Sequence, residues 1–337
     1  MIQEVIGKLI SGIDLTQEQA SLTMNEIMED QATSAQIAAF MVGLRFRGET
    51  AELLAGMAET MRNKSLRVPV SSPVVDLAGT GGDGLGTFNI TTAAAIVTAA
   101  ANVKVAKHGN RAASGSVGAA DILEENGVKL DLTPENVSNC IENIGIGFMF
   151  APSFHPAMRF VAGPRRELGV RTVFNLLGPL TNPAGALHQV IGVASKDLAE
   201  KMAVGLKLLG TRYSWIVHSE DGLDEITTTS QTNVWEVQGE RIRNYIVSPE
   251  DAGLAYANLR DLCPTTKEGY LTMFLNSFSE KHSPEKDVVM LNSAAAFVIS
   301  GTTPDLRSGV HLARDTINSG AALNKLRELA TLTQSLG

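Results

Sequence analysis

A glycine-rich segment with the chemistry of a phosphate-binding loop lies between residues 79 and 92. It reads Gly79-Thr80-Gly81-Gly82-Asp83-Gly84-Leu85-Gly86-Thr87-Phe88-Asn89-Ile90-Thr91-Thr92. Its glycines let the backbone bring N–H groups close to a ligand, and the helix predicted to begin near Ala93 adds the positive end of its dipole. The segment is neither a Walker loop nor a Rossmann GxGxxG motif. We expect phosphate as the ligand; a glycine turn that binds nothing is the alternative.

A second polar segment directly follows the predicted strand at residues 103–106. It reads Lys107-His108-Gly109-Asn110-Arg111-Ala112-Ala113-Ser114-Gly115-Ser116. Because ligand crevices lie at the carboxyl ends of parallel strands, these basic and small residues form a second candidate site for an anion. The alternative is a solvated loop in which Lys107 and Arg111 face water.

Acidic residues cluster in a third segment, after the predicted strand that ends at His218. It reads Asp221-Gly222-Leu223-Asp224-Glu225-Ile226. Neighbouring carboxylates supply the oxygen ligands that Mg²⁺ prefers, and Mg²⁺ usually shares its shell with substrate phosphates. A solvated acidic turn explains the same residues equally well when they are considered alone.

A fourth segment, residues 150–183, combines prolines and glycines with a pair of arginines. It contains three breaks, at Gly163-Pro164, Gly178-Pro179 and Asn182-Pro183. These breaks predict a hinge or a crossing between domains. Arg165 or Arg166 can hold a carboxylate through two hydrogen bonds, and a surface ion pair with Glu167 or a neighbouring residue is the alternative. For His155 the simplest interpretation is a packed histidine with satisfied ring nitrogens.

The hydrophobic pattern predicts a helical region followed by an α/β region as the scaffold of these segments. Thr16 with Gln19 and Thr33 with Gln36 match the capping box, and residues 1 to about 67 are predicted to be helical. After residues 68–73, apolar runs alternate with helical stretches, as in βαβ units. The predicted strands are 74–77, 103–106, 128–132, 189–193, 213–218, 235–237 and 242–247, and the predicted helices are 117–126, 134–144, 195–209 and 288 to the end.

Composition excludes several classes of function. The 337 residues include 28 Lys and Arg against 36 Asp and Glu, and the net charge of −8 opposes binding to a nucleic-acid backbone. Cys140 and Cys263 form no CxxC motif, so neither a disulfide framework nor a zinc site is expected. The N-terminus is too charged for a signal peptide, and no run reaches ~18 apolar residues. A cytoplasmic protein without membrane or nucleic-acid partners is expected.

In their order and spacing, the four segments resemble the anthranilate phosphoribosyltransferase family over essentially the whole chain. The stretches that carry this resemblance are GTGGDGLGTFNIT, KHGNRAAS, FAPSFHPAM, RREL and VFNLLGPLTNPAG. The resemblance implies an α/β fold in which a small helical domain lies on a large α/β domain with a mainly parallel central sheet. The implied domains are residues 1–67, completed by helices from about 155–185, and residues 68–337. The helical domain is expected to form a homodimer.

The resemblance also implies a reaction, in which phosphoribose passes from 5-phosphoribosyl 1-pyrophosphate to the anthranilate amine in tryptophan biosynthesis. Two Mg²⁺ ions per subunit are expected, held by Thr91, Asp224 and Glu225, while Asn110 and Arg165 hold anthranilate. Asp224, Glu225 and Arg165 are the expected catalytic residues. The expected substrate-binding residues are Gly79, Gly82, Asp83, Thr87, Asn89, Ile90, Thr91, Thr92, Lys107, His108, Gly109, Asn110, Arg111, Ala112, Ala113, Ser114, Gly115, Ala119 and Arg165.

The chain departs from the family pattern at three positions where the family usually has serine. Thr91 keeps a hydroxyl for Mg²⁺, whereas Gly115 and Ala119 have none to offer a phosphate. Two alternative functions use the same fold. A pyrimidine nucleoside phosphorylase would carry a KMSGRGLGHTGGT-like segment, which this sequence lacks, and a non-enzymatic nucleic-acid-binding relative is opposed by the net charge of −8.

Overall fold

Residues 1–67 form four helices whose starts are set largely by hydroxyl side chains. The helices are α1 (Ile2–Ile10), α2 (Gln17–Met28), α3 (Ser34–Arg47) and α4 (Ala51–Lys64). Thr16 and Thr33 form the predicted capping boxes, in which each hydroxyl accepts a hydrogen bond from the backbone N–H three residues later. The computed structural model describes residues 1–112 and 117–336.

A seven-stranded sheet forms the centre of the described part of the chain. Its strands are β1 (Val75–Gly79), β2 (Val105–Gly109), β3 (Ile146–Phe150), β4 (His188–Gly192), β5 (Tyr213–Ser219), β6 (Thr232–Gln238) and β7 (Arg241–Val247). Their order is β3-β2-β1-β4-β5-β6-β7, with β1 to β5 parallel and β6 and β7 antiparallel to their neighbours. The mainly parallel α/β sheet is as predicted.

The helices that follow α4 pack on the faces of this sheet or on other helices. They are α5 (Ile90–Ala100), α6 (Ala119–Glu125), α7 (Pro134–Ile144), α8 (Ala151–Phe154), α9 (Arg159–Leu168), α10 (Phe174–Leu177), α11 (Lys196–Leu208), α12 (Lys267–Asn276), α13 (Pro284–Ile299), α14 (Leu306–Asn318) and α15 (Ala321–Ser335). Within residues 1–112 and 117–336, no helix combines the length and hydropathy needed to span a bilayer.

Side-chain alternation along the strands divides the interior into two main hydrophobic clusters. Val190 and Trp215 belong to the cluster that contains α5 and α13, whereas the next residues, Ile191 and Ile216, belong to the other. That second cluster also contains the buried faces of α1 to α4 and Val161 of α9. The N-terminal helices therefore share an apolar core with one face of the sheet, and α9 packs against α3.

Three predictions about local structure are wrong. The alternating run 128–132 forms no strand, because the Lys129 N–H bonds to the Thr333 hydroxyl instead of a neighbouring strand, and the third strand begins at Ile146. β2 extends through Gly109, so Lys107 and His108 lie inside the strand rather than after it. The Gly163-Pro164 pair lies within α9, where burial of Val161 and Pro164 on one face outweighs the backbone hydrogen bond that proline removes.

Candidate active site

The predicted site segments meet at the carboxyl edge of the parallel strands. The glycine loop, residues 79–89, leaves β1; residues 110–112 leave β2; and the acidic segment follows β5. Because β2, β1, β4 and β5 are neighbours in the sheet, these exits lie along one edge. This edge is the candidate active site.

Two glycines allow Asp224 to approach the glycine loop. A Cβ at Gly79 would lie 2.6 Å from Asp224 Oδ2, and a Cβ at Gly192 would lie 1.5 Å from the Asp224 carbonyl oxygen. In the space they leave, Asp224 Oδ2 accepts a hydrogen bond of 2.7 Å from the Gly81 N–H. The acidic segment is therefore attached to the glycine loop, not free in solvent, and the solvated-turn interpretation fails for Asp224.

The carboxylates of this site repel one another. Burial, and then the charge of Asp83, raises the pKa of Asp224 to about 6. Burial, and then Asp224, raises the pKa of Glu225 well above its ordinary value, while Lys107 and the Thr91 N–H act in the opposite direction. A divalent cation would relieve this repulsion and keep both carboxylates ionised.

The side chains around Asp224 fit magnesium shared with a ligand better than a metal cage made of protein alone. Asp83, Asp224, Glu225 and the Thr91 hydroxyl offer only oxygen, the donor that Mg²⁺ prefers. Among the residues described, however, no three His, Cys, Asp or Glu side chains come together closely enough to hold an ion. Mg²⁺ commonly completes its shell with water and substrate phosphates, so a phosphorylated ligand would supply the missing oxygens.

Lys107 lies in a network of buried charges, contrary to the solvated-loop interpretation. It is 4% exposed, and its Nζ donates a hydrogen bond of 2.6 Å to the Leu77 carbonyl oxygen. Burial lowers its pKa, whereas the charges of Asp76 and Glu225 raise it. Asp76 is itself buried and accepts a hydrogen bond of 2.8 Å from Asn182. A line of alternating charge therefore runs from Asp76 through Lys107 to Glu225.

Two buried, uncharged histidine rings lie next to this network. The rings of His108 and His155 lie 5.1 Å apart. Burial lowers the pKa of His108 to about 3 and that of His155 to about 4, so both are uncharged at neutral pH. His108 Nδ1 lies 3.2 Å from the Gly178 carbonyl oxygen, which favours a proton on this nitrogen. Both Nε2 atoms are buried without a hydrogen-bond partner among the described residues, so His155 is not the fully satisfied histidine of the simpler interpretation.

Arg165 lies on α9, and its positive charge is available to bind a ligand. Its guanidinium carbon is 6.0 Å from the centroid of the Phe174 ring. Burial alone lowers the pKa of Arg165, and no carboxylate in the described part of the chain contributes to it. The structure therefore does not support the alternative of an ion pair with Glu167. A partly buried guanidinium without a carboxylate is suited to bind one from a ligand.

The second polar segment is only partly directed toward a ligand. Arg111 forms ion pairs with Asp121 and Glu124, which raise its pKa, so its charge is already neutralised within the chain. Asn110 is exposed, and its side-chain oxygen accepts a hydrogen bond of 2.7 Å from the Arg111 N–H. Ala112 donates its N–H to Asp121 at 3.1 Å. Their roles in substrate binding stay predictions.

The remaining predicted residues differ in burial and position. Ile90 and Thr92 are buried in the first turn of α5 and can reach a ligand only through their backbone. Asp83, Thr87, Asn89 and Thr91 are partly buried, and Gly82 and Gly79 are exposed. Ala119 is the first residue of α6, whereas Ala113, Ser114 and Gly115 lie outside the described residues.

Sequence reasoning missed three residues of this site. The sequence does contain a signal for Asp76, because a carboxylate within the apolar run Val74-Val75-Asp76-Leu77 is unexpected in a buried strand. Asn182 had none, since only the fold brings it to Asp76. Arg171 donates hydrogen bonds of 3.2 and 2.8 Å to the Thr80 and Gly81 carbonyl oxygens, a contact that no spacing rule predicts.

Comparison with known proteins identifies the family. Two family models match: the glycosyl transferase family, helical bundle domain, over residues 3–65, and the glycosyl transferase family, a/b domain, over residues 71–323. An anthranilate phosphoribosyltransferase from Dehalococcoides mccartyi is 48% identical, with 100% of this chain and 99% of that protein covered.

Solved structures agree with this result. The anthranilate phosphoribosyltransferase of Thermus thermophilus is 42% identical with a TM-score of 0.92, covering 98% of this chain and 99% of that one. The Saccharomyces cerevisiae enzyme in complex with PRPP and Mg is 28% identical with a TM-score of 0.90, covering 99% of this chain and 98% of that one. The same yeast enzyme in complex with 4-fluoroanthranilate has a TM-score of 0.89 at 26% identity, with 99% of this chain and 98% of that one covered. The chain therefore belongs to the anthranilate phosphoribosyltransferase family.

Proposed function

We propose that the protein transfers the phosphoribosyl group of 5-phosphoribosyl 1-pyrophosphate (PRPP) to the amine of anthranilate, in tryptophan biosynthesis. The products are N-(5′-phosphoribosyl)anthranilate and pyrophosphate. One observation carries this proposal: the Gly81 N–H of the glycine loop donates a hydrogen bond to Asp224. Asp224 and Glu225 form an acidic pair whose charges repel each other unless a cation neutralises them. Such a site is suited to a magnesium-bound diphosphate.

The donor would bind along the glycine loop and the end of β2. Gly79, Gly82, Asp83, Thr87 and the run 89–92 would hold the diphosphate and phosphoribosyl groups through backbone N–H groups and hydroxyls. Residues 107–115 and Ala119 would enclose the same substrate from the neighbouring strand, with His108 and Asn110 at the boundary with the acceptor. We further propose two Mg²⁺ ions per subunit, held by Thr91, Asp224 and Glu225 together with donor phosphates.

The acceptor would bind on the side of α9. Arg165 would hold the anthranilate carboxylate, with Asn110 beside it. The neutral rings of His108 and His155 suit an aromatic acceptor, because they add no charge that would compete with Arg165.

The chemistry follows from the weakness of the nucleophile. The lone pair of an aryl amine is delocalised, so we expect the C1–O bond of the donor to break ahead of attack, leaving an oxocarbenium-like centre. Magnesium, when bound, neutralises charge on the departing pyrophosphate. Lys107, when protonated, would add a positive charge beside Glu225, and Arg165 would hold the acceptor with its amine near C1, which replaces a costly encounter in solution.

The domain division and the assembly belong to the same proposal. Residues 1–67, with helices from about 155–185, would form the helical domain, and residues 68–337 the α/β domain. A homodimer through the helical domain is supported by exposed apolar side chains on α1 and α3: Phe46 is 92% exposed, Ile10 81% and Val42 49%. Because α1 and α3 pack against each other, exposed apolar side chains on these two helices favour an interaction surface there.

The test is a fluorescence assay of the purified protein with anthranilate, PRPP and Mg²⁺. We expect anthranilate fluorescence to disappear only when donor and metal are both present. A parallel assay with a pyrimidine nucleoside and inorganic phosphate tests the phosphorylase alternative. No loss of anthranilate with folded protein across a broad magnesium range would refute the proposal.

A further inference from the structure

Arg171 connects two segments of the site that are 90 residues apart in the chain. It lies between α9, which carries Arg165, and α10. Its Nη2 donates to the Gly81 carbonyl oxygen at 2.8 Å and to the Thr80 carbonyl oxygen at 3.2 Å. One guanidinium nitrogen therefore bridges two consecutive carbonyls of the glycine loop.

Gly82 provides the space for this contact. A Cβ at Gly82 would lie 1.4 Å from Arg171 Nη1 and 2.2 Å from its Cζ. The φ of Gly82 is +79°, in the left-handed region that favours glycine. Both the backbone conformation and the free space at this position thus fit an arginine packed against the loop.

The glycine loop is held from two sides at the same residue. The Gly81 N–H donates to Asp224, while the Gly81 carbonyl oxygen accepts from Arg171. The residue after Arg171 is also fixed, because the buried Thr172 donates its N–H to the Asn175 side chain at 2.9 Å. The position of the loop is therefore tied both to the acidic pair and to the start of α10.

We propose that Arg171 is a positioning residue that fixes the glycine loop relative to the segment carrying Arg165. The inference rests on the proposed function, in which the loop holds the donor and Arg165 holds the acceptor. Because transfer requires the amine to lie close to the donor C1, a fixed separation between the two subsites lowers the barrier. Arg171 acts through the loop carbonyls and need not touch either substrate.

Hydrogen exchange of the protein without substrates tests the contact itself. We expect amides of residues 79–88 to exchange at least about tenfold faster in Arg171→Ala than in the parent, with other regions unchanged. Arg171→Lys should recover most of this protection, since one ammonium can donate to both carbonyls. Arg327→Ala, at an exposed arginine of α15, is the matched control and should leave the loop unchanged. If Arg171→Ala loses protection throughout the chain, Arg171→Gln replaces it in the experiment.

Steady-state kinetics test the consequence. We expect Arg171→Ala to raise the KM for PRPP about tenfold and to lower kcat several-fold, with Arg171→Lys close to the parent. Unchanged exchange in the loop, faster exchange with unchanged kinetics, or no recovery in Arg171→Lys would each overturn the inference. An inactive parent would refute the proposed function instead, while the exchange data would still show whether Arg171 holds the loop.

Discussion

The donor side and the acceptor side of the proposed site differ in the charge and type of the groups that form them. The donor side consists of backbone and buried charge: a glycine loop, the acidic pair Asp224 and Glu225, and Lys107 inside the sheet. The acceptor side consists of neutral histidine rings and one arginine, Arg165, which no carboxylate of the described chain neutralises. Charge is thus concentrated where a diphosphate would leave and sparse where an aromatic acid would bind.

This difference follows from what each substrate requires. A departing diphosphate develops negative charge, so its side needs cations and fixed dipoles that exist before the reaction. A planar aromatic acid needs one anchor for its carboxylate and otherwise an uncharged surface. We therefore expect loss of a donor-side charge to reduce kcat, and loss of the acceptor-side anchor to raise the KM of one substrate.

The largest effect is expected at the acidic pair. Asp224→Asn or Glu225→Gln should lower kcat by about 100-fold or more, because loss of a proposed metal ligand would weaken stabilisation of the leaving pyrophosphate. The measurement is the steady-state rate across a magnesium titration. The exposed Glu220→Gln is the matched control in the same segment. Turnover equal to the parent in both variants would mean that these buried carboxylates hold the glycine loop but do not bind the metal.

The charge network beneath the donor side predicts the next effect. Asp76→Asn should lower the free energy of unfolding by about 3 kcal/mol, because it leaves the buried charge of Lys107 with less compensation and places two amide groups against each other at Asn182. Urea unfolding measures the loss, and the exposed Asp131→Asn serves as control. A loss below about 1 kcal/mol would mean that Lys107 is neutral or stabilised by other groups.

The sequence predicts where the elements of the donor side lie better than it predicts which of their side chains are buried. Local signals located the glycine loop, because five glycines in eight residues have few other uses, and capping boxes located the helices after Thr16 and Thr33. The burial of Lys107 was missed, since an apolar run followed by a basic residue resembles a strand end. Only the pairing of β2 with β3 shows that the strand continues through Gly109.

The acceptor side was harder to predict because its contacts are long-range. The Gly163-Pro164 pair resembles a chain break, yet packing keeps it helical. The contact of His108 with His155 depends on strand order, and the contact of Arg171 with the glycine loop depends on the segment between α9 and α10. No local pattern encodes either contact.

The neutral histidines predict a dependence of stability on pH. Because the pKa values of His108 and His155 in the folded protein lie below the unfolded value near 6.5, the unfolded chain binds more protons in acid. The contribution of the two histidines to the free energy of unfolding should be fully present above about pH 6.5. It should fall by about 2 kcal/mol per histidine as the pH falls to about 5. Urea unfolding at several pH values measures this slope.

The matched variants separate these two histidines from the rest of the chain. His155→Gln should flatten the slope, whereas His311→Gln, at an exposed histidine, should not. An unchanged slope in His155→Gln would indicate that this ring is protonated in the folded protein.

Arg165→Ala should separate the two substrates kinetically. We expect the KM for anthranilate to rise about tenfold or more while the KM for PRPP changes little, because a charge-assisted hydrogen-bond pair to a carboxylate contributes ~1.5–3 kcal/mol. Arg327→Ala again provides the control. An equal rise for both substrates would place Arg165 on the donor side or in a purely structural role.

The smallest effect is expected at Ala119, which has no hydroxyl to offer on the proposed donor side. This residue begins α6 against the end of β2, since its Cβ lies 3.2 Å from where a Cβ of Gly109 would be. Ala119→Ser should tighten PRPP binding several-fold at most: a hydrogen bond to a charged acceptor contributes ~1.5–3 kcal/mol, but water already supplies much of it.

Calorimetric titration of PRPP with Mg²⁺ measures this change. Ala321→Ser is the matched control, because Ala321 also begins a helix after a glycine but lies in α15, outside the candidate site. Unchanged or weaker binding in Ala119→Ser would mean that backbone N–H groups satisfy the phosphate at this end of β2. At this position the donor side would then depend on backbone N–H groups and would need no hydroxyl.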